Sequence, residues 1–297
     1  MLKGIVASVL ASALFGAIYY LPPLLAPLTG EQIFGWRIVF SLPFTTALML
    51  WRGNGGRVAV LLARARASWT YGVLLMVCAA LLGLQLWLFM WAPLHGRALQ
   101  VSLGYFLLPL TMVLTGRVVF KERLSIAQKL ATALAAAGVS HELWRVGGVS
   151  WETLVVAMGY PIYFLLRRRL GADHLGGHWL DMTLLAPVAF WFILRAPSSV
   201  MYLGSHPALW VLLPLLGLFS ALALALYMAA SRWLPLGLFG LLTYVEPVLL
   251  VIVALLLGER MVAGQTWTYA LVFAAVGVLM IEGLRQVIKE RMATPAA

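Results

Sequence analysis

Two charged side chains stand inside long apolar runs, and they are the residues best placed to do chemistry. Glu246 lies between Val245 and Pro247, near the middle of the run 235–257. Arg37 lies near the start of the run 32–51. In hydrocarbon a charged side chain costs about 2.5–3.5 kcal/mol on insertion scales, so an ionisable group there marks a functional candidate. The Glu246 carboxyl can exchange a proton or hold a cationic amine; the plainer reading is a carboxyl that only packs the bundle. Thr243 precedes it by three residues and shares its helical face, with Tyr244 between them. Pro247 removes a backbone donor and frees the carbonyl about four residues earlier. Arg37 also has two readings: it snorkels to the interface, or it pairs with a carboxylate in a cavity, for which Glu246 is the candidate.

Uncharged polar groups form a second set. Gln85, Gln100 and Tyr105 fall in the outer halves of two neighbouring runs. They suit a polar or zwitterionic molecule, or else act as interhelical glue worth about 0.6 kcal/mol per bond. Ser8, Ser12, Phe15 and Tyr19 recur at helical spacing on one face. Tyr160 and Tyr163 flank Pro161. Pro109 and Pro247 are candidate helix breaks or hinges, and Gly16, Gly104, Gly159 and Gly240 permit close helix approach. Asp181 reads as interfacial, and Glu122 and Glu259 as residues that satisfy helix ends or pair locally with arginine. His95, His141, His174, His178 and His206 fall in or beside connections. No HExxH, nucleophile elbow, cysteine cluster or nucleotide-binding motif is present, which disfavours an embedded enzyme, a metal or any cofactor. Cys78, the one cysteine, reads as a small packing residue.

The elements that must position these residues follow from composition. The chain has 297 residues, 63% hydrophobic and 10% charged, with a mean hydropathy of +0.96. A soluble domain carries roughly 25% charged residues, so this is an all-α, multi-pass membrane protein. About 20 mostly apolar residues make a span. Ten candidates run roughly 4–25, 32–51, 70–91, 98–119, 125–143, 149–166, 179–195, 207–230, 235–257 and 265–284. The run after Met1-Leu2-Lys3 reads as the first span rather than a removed signal segment. The net charge of +11 sits between the runs, where it sets orientation and attracts lipid headgroups; it does not point to nucleic acid. With both termini in the cytoplasm, all Lys and Arg residues except Arg37, Arg97, Arg145, Arg195 and Arg260 fall inside. Most tryptophans, among them Trp36, Trp51, Trp69, Trp144, Trp151 and Trp210, lie near span ends, the depth such rings prefer.

A short phrase occurs twice. Glu122-Arg123 is followed by Gln128, and Glu259-Arg260 by Gln265. Each copy follows an apolar run with one internal proline and a tyrosine just upstream, and each precedes an Ala/Gly-rich run. The chain therefore reads as two halves, 1–145 and 146–286, with a cytoplasmic tail over 287–297. Five spans per half is an odd number, so the halves are expected to be inverted about an axis in the membrane plane. That is how secondary transporters are commonly built, with the substrate site between the halves.

These features resemble the drug/metabolite transporter superfamily, in the branch built from EamA-type repeats. Ile33-Phe34-Gly35-Trp36-Arg37-Ile38, Ser102-Leu103-Gly104-Tyr105-Phe106-Leu107-Leu108-Pro109-Leu110 and Tyr163-Phe164-Leu165-Leu166-Arg167-Arg168 look like the RarD-type permeases within it. The resemblance implies ten spans in two inverted EamA-type repeats. It implies a bacterial inner-membrane permease for small organic molecules, with export the commoner direction and alternating access the mechanism. Proton coupling is the leading expectation; an uncoupled facilitator or an uptake permease for amino-acid-like metabolites is the alternative. The RarD type is associated with chloramphenicol resistance. The chain departs from the pattern at three positions: Gln100 where a carboxylate is expected, Leu108 where asparagine is expected, and Glu246 where a neutral residue is expected. Oligomeric state is left open.

Overall fold

The structure, a computed structural model, describes residues 2–94, 97–147, 149–195, 198–256 and 264–293. Every regular element among them is helical: α1 (Leu2–Tyr20), α2 (Gly30–Trp51), α3 (Gly55–Ala67), α4 (Trp69–Leu94), α5 (Ala98–Val119), α6 (Ile126–Val146), α7 (Trp151–Leu170), α8 (Leu175–Arg195), α9 (Ser198–Ser205), α10 (Leu209–Trp233), α11 (Leu236–Leu242), α12 (Val245–Leu256) and α13 (Gln265–Ala293), with a short 3-10 turn at Pro22–Leu25. Five are long and apolar enough to cross a membrane by length and composition: α1, α2, α4, α8 and α10. Shorter apolar helical stretches lie at Gly104–Val119, Leu238–Leu249 and Thr266–Leu279. The remaining expected spans fall on the continuous helices α5, α6, α7 and α13, which carry charged residues, and on α11 and α12, which a turn separates. α7, for example, ends in Arg167, Arg168 and Arg169.

Helix starts are set by local chemistry. Thr29 and Gln32 form a reciprocal capping box at α2, and Ser125 and Gln128 form another at α6, each satisfying orphan backbone donors. This explains the first copy of the repeated phrase. Gln128 starts a helix. Glu122 accepts from the Leu236 amide at the start of α11 at 2.6 Å and lies 3.6 Å from Arg168, so its arginine partner is distant in sequence. The second copy lies outside the described residues from Glu259 to Ala263, and Gln265 opens α13.

Two helices occupy segments expected to be plain connections. In α3, Val58 and Leu61 are buried while Arg57, Arg64 and Arg66 point outward. That is the pattern of a helix lying in the interface, and exposed Trp51 and Trp69 flank it. α9 occupies the corresponding place between α8 and α10. The expected ninth span is also divided, into α11 and α12, by a turn at Thr243–Tyr244.

Packing follows small residues. α1 lies on α10 and α12, α2 on α8 and α10, α5 on α7 and α11, α4 on α7 and α8, and α6 on α13. A Cβ at Gly104, Gly159 or Gly240 would fall 2.5, 2.1 or 2.2 Å from Val156, Gln85 or Met112, so these helices meet at distances only glycine allows. Gly16 differs, with ordinary contact to Leu249. One large apolar core joins α1, α2, α4, α5, α7, α8, α10 and α11; a smaller one joins α5, α6, α11 and α13. The outer faces carry bare apolar side chains such as Leu114, Val118, Leu194 and Val211, as expected of a surface solvated by lipid.

Candidate functional site

A cavity at the centre of the bundle is lined by Phe15, Arg37, Leu86, Phe89, Tyr105, Tyr160, Tyr227 and Glu246. Its wall comes from α1, α2, α4 and α5 on one side and α7, α10 and α12 on the other. The enclosed space is about 10 Å³, enough for one water molecule. An organic solute needs the walls to part.

Glu246 reaches this cavity because of the break. It lies in the first turn of α12, where the positive end of the helix dipole favours a carboxylate. The turn is held by tight bonds: Glu246 N–H donates to Thr243 O at 3.1 Å, Tyr244 N–H to Leu241 O at 3.2 Å, and Thr243 Oγ1 to Gly240 O at 2.6 Å. Pro247 follows in the same first turn, where a missing N–H costs little.

Arg37 does not snorkel; it is 1% exposed. Its Nε donates to Ser220 Oγ of α10 at 2.8 Å, and its guanidinium carbon sits 6.0 Å from the Phe89 ring centroid. Nη1 is buried without a hydrogen-bond partner. The expected direct pairing with Glu246 is absent: among the described residues no ion pair within 4.0 Å involves Arg37. The two charges are within electrostatic reach across the cavity, and Ser220 supplies the near acceptor instead.

Aromatic rings complete the wall. Phe89 stands edge-on to Tyr105 at 5.9 Å and to Tyr19 at 5.6 Å. Tyr160 lies 6.4 Å from both Tyr105 and Tyr227. Phe15 meets Tyr227 at 5.6 Å.

The other expected residues do not line this cavity. Gln85 donates through Nε2 to Val155 O of α7 at 2.7 Å, which is the glue reading. Gln100 sits near the start of α5; its backbone carbonyl accepts from Thr153 Oγ1 at 2.6 Å, and its Oε1 is buried without a partner. Tyr244 is fully buried in the smaller core and donates to Phe106 O at 3.0 Å. The Thr243 hydroxyl donates to Gly240 O and is within hydrogen-bond reach of the Tyr227 hydroxyl. Tyr19 is half-buried behind Phe89. Ser8 and Ser12 are buried with unpartnered hydroxyls. Pro109 leaves α5 unbroken. Tyr163 donates to Asp181 Oδ2 at 2.9 Å. Asp181, read from the sequence as interfacial, is 1% exposed and paired with Arg167 inside the bundle. His178 is buried in the first turn of α8, beside the connection that precedes it.

Sequence reasoning missed Tyr227, Ser220, Leu86 and Phe89. Tyr227 carried a usable signal, a lone phenol in the apolar run 207–230; the others carried none. Among the described residues no group of three or more His, Cys, Asp or Glu is arranged to hold a metal.

No family model matches the chain. Curated relatives do. A chloramphenicol-sensitive protein RarD of Pseudomonas aeruginosa is 45% identical over 275 residues, covering 92% of each chain. An uncharacterized transporter of Pasteurella multocida is 42% identical over 284 residues, covering 96% of this chain and 97% of its own. Protein RarD of Escherichia coli is 28% identical over 278 residues, covering 93% and 90%. A solved crystal structure superposes with a TM-score of 0.65 at 16% identity, over 93% of this chain and 98% of that one, a likeness of fold alone. The apolar helices, the lipid-facing surface and these relatives agree: the chain belongs to the RarD-like permeases of the drug/metabolite transporter superfamily, multi-pass transporters of the bacterial cytoplasmic membrane.

Proposed function

We propose that the chain is a secondary transporter that exports small organic solutes by alternating access, with protons as coupling ion and the Arg37–Glu246 cavity as its site. One observation carries this reading. A buried cation and a buried carboxyl, not ion-paired to each other, face one aromatic cavity from helices on either side of position 146.

The packing supports ten spans in two inverted repeats, 1–145 and 146–286, with both termini and the tail 287–297 in the cytoplasm. α2 meets α8, α6 meets α13, and α5 meets α11, each helix against its counterpart five spans later. The α1–α10 pair is mirrored by α7–α4, and α5–α7 by α12–α1. A two-fold exchange of halves produces this pattern, and the cavity takes its lining from both halves, as expected of transporters that hold their cargo between repeats.

The wall chemistry suits an amphipathic, amino-acid-like solute. Nη1 of Arg37 is available to a carboxylate, Glu246 to an ammonium group or a proton, and the Phe15, Tyr105, Tyr160 and Tyr227 rings to an apolar body or a cation. Glu246 serves both tasks only in turn, which is how one carboxyl exchanges a proton for a substrate. The export direction rests on the superfamily resemblance.

The test is transport by the wild type in inverted vesicles, with and without an imposed pH gradient, across aromatic amino acids, amphenicols and aromatic cations. Accumulation that needs the gradient is expected, strongest for zwitterions. Equilibration indifferent to the gradient makes the chain a facilitator, and a preference for uncharged amphenicols overturns the zwitterion assignment.

A further inference from the structure

Below the cavity, α7 carries a second polar centre that the transport reading does not use. Tyr160, Tyr163, Phe164 and Arg167 share one face. Tyr160 lines the cavity. One turn on, Phe164 stacks on Tyr160 at 6.3 Å and stands edge-on to Tyr227 at 5.6 Å and Phe239 at 5.0 Å. One turn further, Arg167 is fully buried and its Nη1 lies 3.3 Å from the Asp181 carboxylate of α8. The Tyr163 hydroxyl donates to the same carboxylate. The next residue, Arg168, donates to the carbonyls of Ser231 and Leu234 at the end of α10 and pairs with Glu122. The opposite end of α7 has no fully buried ion pair among the described residues: Glu152 lies 3.4 Å from a half-exposed Arg97, and the Thr153 hydroxyl donates to Gln100 O at 2.6 Å.

We infer that the Tyr163–Arg167–Asp181 cluster is a gate clasp, which seals the cavity on the Arg167 side by locking α7 to α8 behind a plug formed by Phe164 and Phe239. The clasp is buried but incompletely satisfied. Arg167 Nε and both ring nitrogens of His178, three residues before Asp181, are buried without partners. Each such group carries a desolvation penalty. Water entering the seam relieves those penalties while separating the charges, so closed and hydrated states stand close in free energy, as a two-state gate requires. Burying an ion pair is a poor way to gain stability but a good way to fix one arrangement. Gly177 lets the seam close: a Cβ there would fall 2.2 Å from Arg167 Nη2 and from Ala172 O.

Cys78, the only cysteine, reports on this seam. It is fully buried on α4 and within electrostatic reach of Asp181 and Arg167. The experiment is the labelling rate of Cys78 by a charged, membrane-impermeant maleimide, applied to inverted and to right-side-out vesicles. Asp181→Asn is expected to raise the rate about tenfold from the Arg167 face alone, because a buried charge left without its partner draws in water. Tyr163→Phe, which removes only the hydroxyl, is expected to give a smaller rise from the same face, and carries the test if Asp181→Asn does not accumulate. A rate within about twofold of wild type in both variants, or an equal rise from both faces, overturns the clasp. The inference rests on the alternating-access reading, but labelling needs no substrate. A failed clasp therefore leaves the transport result standing, and a failed transport assay leaves the labelling result readable.

Discussion

α5 and the α11–α12 line both pass a tyrosine and then a proline, yet only the second breaks. In α5 the helix runs unbroken through Pro109, and the Thr111 hydroxyl donates to Leu108 O at 2.8 Å and to Ala157 O of α7 at 2.5 Å. The donor missing at Pro109 is the one that would have reached the Tyr105 carbonyl, four residues earlier, and α5 continues without it. Before Pro247 the Thr243 hydroxyl is turned back to Gly240, and the Thr243 carbonyl is taken by Glu246 N–H. The helix restarts rather than continues. The difference teaches that a proline alone does not decide a break; at the second site the carbonyl that Pro247 frees, Thr243 O, is taken by Glu246 N–H, which restarts the helix. Its consequence is chemical. The intact helix presents a neutral ring, Tyr105, and the broken one presents a carboxyl at a helix start.

The comparison is broken most severely by removing the charge that faces Glu246. Arg37→Gln is expected to raise KM for a zwitterionic substrate by about tenfold to a hundredfold, the worth of one charge-assisted bond. Arg37→Lys is expected to rescue little, since an ammonium does not reproduce the guanidinium's simultaneous reach to Ser220 and the cavity. Next is Gly240→Ala, at the point where α11 crosses α5 beside Pro109. The new methyl meets the Met112 Cβ, and the expected loss is about 1–3 kcal/mol, read as a lowered Tm in detergent. Gly277→Ala, with open space around it, is expected to leave Tm unchanged. The two tyrosines then separate the roles. Tyr105→Phe is expected to raise KM without lowering Tm, whereas Tyr244→Phe loses the bond to Phe106 and lowers Tm while sparing KM. The smallest effect is expected of Gln85→Leu, about 0.6 kcal/mol, with transport intact.

The lesson for reading the sequence lies in which residues converged. Glu246, Arg37, Tyr105 and Tyr160 were legible because charge and phenol inside apolar runs are expensive unless they face one another or a cavity. Gln85, Thr243 and Tyr244 have the same polar character, but they donate to carbonyls, those of Gln85 and Tyr244 on other helices, and helix-to-helix register is not written in any one segment. The pairing of Asp181 was hidden for the same reason. Its partner Arg167 belongs to a basic cluster that the positive-inside pattern explains by itself. α3 was hidden because its arginines resemble a cytoplasmic loop, while only Val58 and Leu61 reveal its buried face. The membrane class and the RarD-type family were legible from composition and from strings such as Ser102-Leu103-Gly104-Tyr105-Phe106.

The central claim is that Glu246 couples solute movement to protons. Its most direct test is gradient-driven accumulation in inverted vesicles by wild type and by Glu246→Gln, which keeps the side chain's shape and removes its titration. The account predicts that the wild type concentrates the solute only under an imposed pH gradient and that the variant, equally abundant in the membrane, does not. Accumulation that is the same in both proteins, with or without the gradient, would contradict it and leave Glu246 as a packing residue.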